Sequence, residues 1–152
     1  MSEKVVAVSG GFDPIHVGHL RMLEEAAEYG SLIVIINSDT WLKRKKGYVF
    51  MPWEERAEII SAFSCVDNVI EAKDDDRTVC ETLKEIRPDI FANGGDRGAT
   101  NTPESVLCKE LGIETIYNVG GGKVRSSSHL VDEITTQKSQ MALHKYRNEV
   151  AI

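Results

Sequence analysis

His16 and His19 stand three residues apart in the stretch SGGFDPIHVGHLRML (residues 9–23), and they are half of the four histidines in the chain. An i, i+3 spacing puts both imidazoles on one side of a first helical turn. Such a pair can bind a metal, pack in a core or hold an anion. Zinc would need a third Cys, His or carboxylate at ligand spacing, and none is evident. Gly18 removes a side chain from the surface between the histidines, and glycine suits a helix interior poorly unless something packs close. Gly10 and Gly11 directly follow an apolar run, where a missing Cβ lets backbone approach a phosphate and the next helix offers free N–H groups. Two imidazole donors beside such a turn suit an anion that grows more negative during reaction. The dinucleotide fingerprint G-x-G-x-x-G is not met, because positions 12 and 15 are Phe and Ile, and no P-loop is present.

Three other stretches could bind anions. Lys43-Arg44-Lys45-Lys46 is a basic run in a chain of net charge −6. Alone it reads as a solvated loop or a nuclear-localisation signal, but it follows a strand and faces the histidines. Asn93-Gly94-Gly95-Asp96 follows another strand. GGKVRSSSHL (121–130) places three serines at a helix start, where hydroxyls and backbone N–H groups can meet an anion or simply cap the helix.

These stretches need elements to position them. Val5 to Val8, Leu32 to Ile36, Asn68 to Glu71, Ile90 to Ala92 and Ile113 to Val119 read as strands, and the first two are apolar throughout, as doubly buried strands are. Helices are predicted from Val17 to Tyr29, from Pro52, from about Thr78 to Ile86, from Thr102 with Pro103 at its first position to Gly112, and from Ser126–Ser128 onward. Residues 39–47 read as a basic loop. Strands alternating with helices predict a single-domain, Rossmann-like, doubly wound parallel α/β sheet of about five strands. Residues 1–138 form the domain in this reading, and 139–152 a helical tail. In such sheets ligands bind beyond the carboxyl ends of the strands. The stretches 10–19, 37–47, 93–97 and 120–128 all follow strands and should gather at one edge.

At 152 residues the chain is long enough to bury roughly two-thirds of its unfolded surface. Its acidity argues against a general nucleic-acid binder. Three widely spaced cysteines without a C-x-x-C pair suggest thiols in a reducing compartment. No apolar stretch approaches the ~18 residues that span a bilayer, and the start of the chain does not read as a signal peptide. A cytoplasmic protein without a membrane partner is expected.

GGFDPIHVGHL resembles the H-x-G-H signature of the nucleotidyltransferase superfamily that includes glycerol-phosphate and phosphocholine cytidylyltransferases and heptose-phosphate adenylyltransferases. The resemblance runs from residue 4 to about 136. INSDTWLKRKKG (36–47) and GGD (94–96) look most like the heptose-phosphate group. The resemblance implies that His16 and His19 contact the nucleotide phosphates and stabilise the transition state. Gly10, Gly11, Phe12 and Asp13, with Gly18, would cradle phosphate and ribose. Lys43 and Lys46 would approach the phosphates of both substrates, with Lys46 also catalytic. Gly94 and Asp96 would join the nucleotide site, as would Ser126, Ser127 and Ser128, which match a closing hydroxyl run. In the cytidylyltransferases an arginine stands five residues before that run. Gly121 takes its place here, and Lys123 and Arg125 supply positive charge, Arg125 toward the nucleotide. PWEER (52–56) is similar to a helix start whose arginine, Arg56, faces the acceptor; from the residues alone Arg56 could equally be a surface ion-pair partner. A homodimer is implied too.

The reaction so implied transfers a nucleoside monophosphate from ATP or CTP, with Mg²⁺, to a phosphorylated small acceptor, and pyrophosphate leaves. Two other readings remain: a non-catalytic nucleotide-binding or sensor domain, and a nicotinamide-dependent oxidoreductase with Asp39 on the ribose.

Overall fold

The computed structural model describes residues 3–74, 78–94, 102–120 and 127–150, excepting the side chains of residues 128 and 146–150. The chain runs β1 (Val5–Gly10), α1 (Val17–Ala26) with a short 3₁₀ turn (Ala27–Tyr29), β2 (Ser31–Ile36), α2 (Asp39–Lys46), α3 (Trp53–Ser61), β3 (Asn68–Glu71), α4 (Cys80–Ile86), β4 (Ile90–Gly94), α5 (Pro103–Leu111), β5 (Glu114–Val119) and α6 (Ser127–Val150). The strands form one parallel sheet in the order β3-β2-β1-β4-β5. Strand order reverses between β1 and β4, the place where an open sheet leaves a crevice beyond its carboxyl edge.

Period-two side-chain alternation builds two cores, one on each sheet face. Val6, Val8, Leu32, Val34, Ile36, Ile90 and Ala92 pack with Leu23 and Ala26 of α1 and Ile60 of α3. Ala7, Ile35 and Phe91 belong to the opposite core, with Leu83 of α4 and Leu107 and Cys108 of α5. Register pairs such as Val8 with Val34 keep like-facing residues side by side. The expected doubly wound α/β sheet is therefore the one observed.

Two expectations change. Residues 39–46 form a helix, because Ser38 caps it by accepting the Trp41 amide at 3.1 Å and Gly47 ends it in the left-handed conformation, φ 86°. The boundary expected between residues 138 and 139 falls inside α6, which is continuous from Ser127 to Val150. Among the described residues no helix is long and apolar enough to cross a membrane.

Candidate active site

The first turn of α1 is held by its own histidines. His16 is the N-cap, with extended backbone (φ −145°, ψ 176°), and its Nδ1 accepts the Gly18 amide at 3.1 Å. His19 Nδ1 accepts the His16 amide at 3.1 Å, which completes a reciprocal capping box. Imidazoles here play the parts that Ser or Thr and Glu or Gln usually take. A ring nitrogen that accepts a hydrogen bond carries no proton, so each neutral ring keeps its hydrogen on Nε2. The cap thus selects one tautomer twice. The rings stack with centroids 3.8 Å apart, and the Phe12 ring meets that of His19 edge-on at 4.9 Å.

The glycine between them has a steric reason. A Cβ on Gly18 would lie 2.9 Å from His16 Cε1, closer than real contacts allow. Phe12, expected at the nucleotide, has its side chain buried between Gly10 and His19, so only its backbone is left for a ligand. A Cβ on Gly10 would press the Phe12 ring at 3.1 Å, and one on Gly11 would meet Leu42 of α2 at 2.9 Å.

Helix α2 carries the basic run in its last turn. Lys46 Nζ donates to the Asp13 carbonyl at 3.1 Å, which brings the ammonium to the glycine turn. Lys45 instead lies over the Trp41 ring, 4.8 Å from its centroid, and Lys43 is exposed. Nothing lies within 4 Å of the Cβ position at Gly47, and its left-handed φ explains the glycine.

Asp13 and Arg56 depart from their expected places. The Asp13 carboxylate is buried and accepts the backbone amides of Phe50 (2.7 Å) and Met51 (2.5 Å), so it clamps the 47–51 segment and does not face a ribose. The Arg56 side chain has no exposed surface. Its Nε donates to Met51 O at 2.9 Å, one terminal nitrogen donates to Gly11 O (2.7 Å) and Asn37 O (2.8 Å), and the other pairs with Asp39 at 2.7 Å. It is neither a surface ion-pair partner nor an open acceptor-binding group. Burial demands this: a guanidinium out of water needs its donors matched. Asp39 is thereby the partner of Arg56, and Asn37, which opens the 37–47 stretch but was not singled out, is a buried part of the site.

On the other side of the switch, Gly94 lets α1 lie close to β4, since a Cβ there would overlap Met22 Sδ at 2.1 Å. The Ser127 hydroxyl donates to the Pro14 carbonyl at 2.6 Å, joining the start of α6 to the loop before His16. Asp96, Arg125 and Ser126 lie outside the described residues, as does the side chain of Ser128. The stretches 10–19, 37–47 and the first residue of α6 thus converge on one edge of the sheet. Among the described residues no group of three His, Cys, Asp or Glu side chains could hold a metal ion.

A cytidylyltransferase-like family model matches residues 7–141. The chain belongs to the cytidylyltransferase-like family. Its curated relatives include a bifunctional protein HldE from Syntrophotalea carbinolica, 37% identical over 145 residues, which span 90% of this chain and 28% of that protein. Another, from Streptomyces coelicolor, is 38% identical over 115 residues, 74% of this chain and 24% of the relative. The chain thus spans about a quarter of the length of these larger proteins. Among solved structures, a lipopolysaccharide core biosynthesis protein from Thermoplasma volcanium superposes with a TM-score of 0.64 at 27% identity, covering 77% of this chain and 95% of that one. This cytidylyltransferase-like chain shares the fold of that protein over nearly all of the latter's length.

Proposed function

We propose that the protein is a nucleotidyltransferase that moves a nucleoside monophosphate from ATP or CTP to a phosphorylated small acceptor, a sugar phosphate or polyol phosphate, and releases pyrophosphate. The observation that carries this reading is the reciprocal His16–His19 cap, which sets two Nε2–H donors at a helix N-terminus beside the sheet's switch point.

An acceptor phosphate oxygen attacks the α-phosphorus in line, the bond to the bridging oxygen breaks, and pyrophosphate carries away the electron pair. A phosphate monoester has a second pKa near ~6, so the nucleophile is ionised at neutral pH and needs no general base. What the protein must do is hold two anions together and offset the charge that builds up. His16 and His19 donate to the reacting phosphate, Lys46 neutralises charge near the glycine turn, and exposed Lys43 draws the substrates in. The N-terminus of α1 contributes its dipole. The backbone turn at Gly10 and Gly11 cradles phosphate, Gly18 gives the His16 ring its space, and Ser127 closes the nucleotide side. Mg²⁺ would enter with the triphosphate as part of that substrate and would offset charge on its phosphates.

The INSDTWLKRKKG segment and the likeness to a lipopolysaccharide core biosynthesis protein favour ATP and a sugar phosphate. The proposal places the protein in the cytoplasm as a homodimer; Ile134, Met141 and Leu143, exposed on α6, support pairing. Light scattering tests that, with a dimer mass expected at micromolar concentration and a monomer mass contradicting it. Activity is tested by presenting ATP, CTP, GTP and UTP with sugar and polyol phosphates and reading pyrophosphate. Turnover with one pair is expected. Tight nucleotide binding without pyrophosphate from any pair would support the sensor-domain reading instead.

A further inference from the structure

Arg56 lies under the site, out of reach of solvent, and three of its four hydrogen-bond partners are backbone carbonyls from separate segments: Gly11, Asn37 and Met51. Those segments are the glycine turn, the end of β2 and the 47–51 segment. Its fourth partner, Asp39, begins α2, the helix that carries Lys43 and Lys46. A lysine could not make this set of contacts, because its ammonium is a compact point charge, whereas the guanidinium is a rigid planar fork.

Phe12 shows what the fork restrains. It sits in the left-handed region at φ 53°, an uncommon backbone state for a bulky residue, which persists only where the surroundings hold it. Both neighbours are held. Arg56 grips the Gly11 carbonyl before it, and after it the Asp13 carboxylate is bound by the amides of Phe50 and Met51. The Met51 carbonyl returns to Arg56, so the contacts close into a ring around Phe12. The Phe12 side chain in turn abuts His19, whose Nδ1 holds the His16 amide. One buried cation is therefore connected, through named contacts, to both imidazoles and to the basic helix.

We propose that Arg56 is a positioning residue: by fixing Gly11 and the start of α2 it keeps Phe12 in the backbone form that sets His19, and so holds both imidazoles as Nε2–H donors. Only the activity arm of this inference rests on the nucleotidyltransferase reading. Arg56 touches no reacting atom in this account and acts through Phe12.

The test is Arg56→Lys, followed by nitrogen NMR of labelled imidazoles and by steady-state pyrophosphate release. In the wild type His16 and His19 show the accepting-Nδ1, protonated-Nε2 signature. In a folded Arg56→Lys protein the His19 signal moves toward an average of both tautomers, and kcat falls by about 10²-fold, the order of loss that small misplacements cause. KM for the triphosphate changes little, because the glycine turn and helix N-terminus remain. Either an unchanged His19 signature or a wild-type kcat in the folded variant overturns the proposal. Should Arg56→Lys fail to fold, Asp39→Asn decides, since it weakens the grip from a partly exposed position: the same changes are expected at smaller amplitude, and unchanged spectra overturn the idea. If the wild type releases no pyrophosphate with any substrate pair, the functional reading fails by itself, and the histidine spectra still decide this inference.

Discussion

The imidazole rings of His16 and His19 stack 3.8 Å apart, 23° from parallel, while the Nδ1 of each accepts a backbone amide of the same helix turn. In the proposed reaction, catalysis and capping draw on opposite nitrogens of the same two rings. Two protonated imidazolium rings in that position would repel, and neither could accept the amide it now holds. Accepting at Nδ1 leaves Nε2 as the nitrogen from which each ring can donate.

Gly18→Ala separates these roles. Alanine in a helix interior gains up to about 1 kcal/mol over glycine, yet its Cβ would stand 2.9 Å from His16 Cε1. Melting temperature is expected to change little, because that gain offsets the cap of about 1 kcal/mol that a displaced His16 loses, while kcat falls at least about tenfold. A calorimetric scan and a pyrophosphate assay on the same preparation check this. Normal turnover would show that the site tolerates a moved His16.

Lys46 and Lys45 are neighbours with different environments. Lys46 reaches the Asp13 carbonyl beside the glycine turn, whereas Lys45 lies over Trp41. Lys46→Ala should slow turnover strongly and Lys45→Ala should change it little. Comparable losses would mean that the helix acts as a diffuse positive field.

The acceptor should need its phosphate. Among the described residues near the turn none is placed as a general base, and the Asp13 carboxylate is already bound by two amides. Removing the phosphate from the acceptor should abolish pyrophosphate release; equal turnover with the dephosphorylated compound would contradict the mechanism.

Burial, with smaller contributions from nearby Cys80 and Glu104, pushes the Cys108 thiol up from its ordinary 9.0 to about 11. The unfolded chain then loses this proton before the folded one does. Stability from the neutral thiol is fully present below pH 9.0 and is lost as pH rises through about 11. Alkylation at pH 8, followed by mass spectrometry, should leave Cys108 unmodified in the folded protein. Fast labelling there would show that α5 opens readily.

Most of the sheet was legible because buried parallel strands are apolar along their whole length, as Val5–Val8 and Leu32–Ile36 are. Helix α2 was hidden by its charge: with only Trp41 and Leu42 apolar it shows no amphipathic period, although Ser38, the basic last turn and Gly47 are ordinary start and stop signals. The histidine pair was legible from spacing and from Gly18, but its capping role was not, because histidine is rarely the residue that fills those positions. Because both rings cap α1, losing either one also lowers stability. Loss of an N-cap costs about 1 kcal/mol, or roughly 2–4 °C in a chain of this size. Arg56 was misplaced for a different reason: sequence spacing puts a residue near a site but does not say whether a long side chain turns toward solvent or into the backbone beneath it.

The most direct test is kcat for pyrophosphate release by His19→Ala compared with wild type, on protein whose melting temperature has dropped by no more than the cap accounts for. Losing one donor to a developing charge costs on the order of 10²–10³ in turnover. A fall of that size is expected with triphosphate affinity changed modestly, since the glycine turn, Lys46 and the helix dipole remain. A folded His19→Ala protein that turns over at the wild-type rate would contradict it.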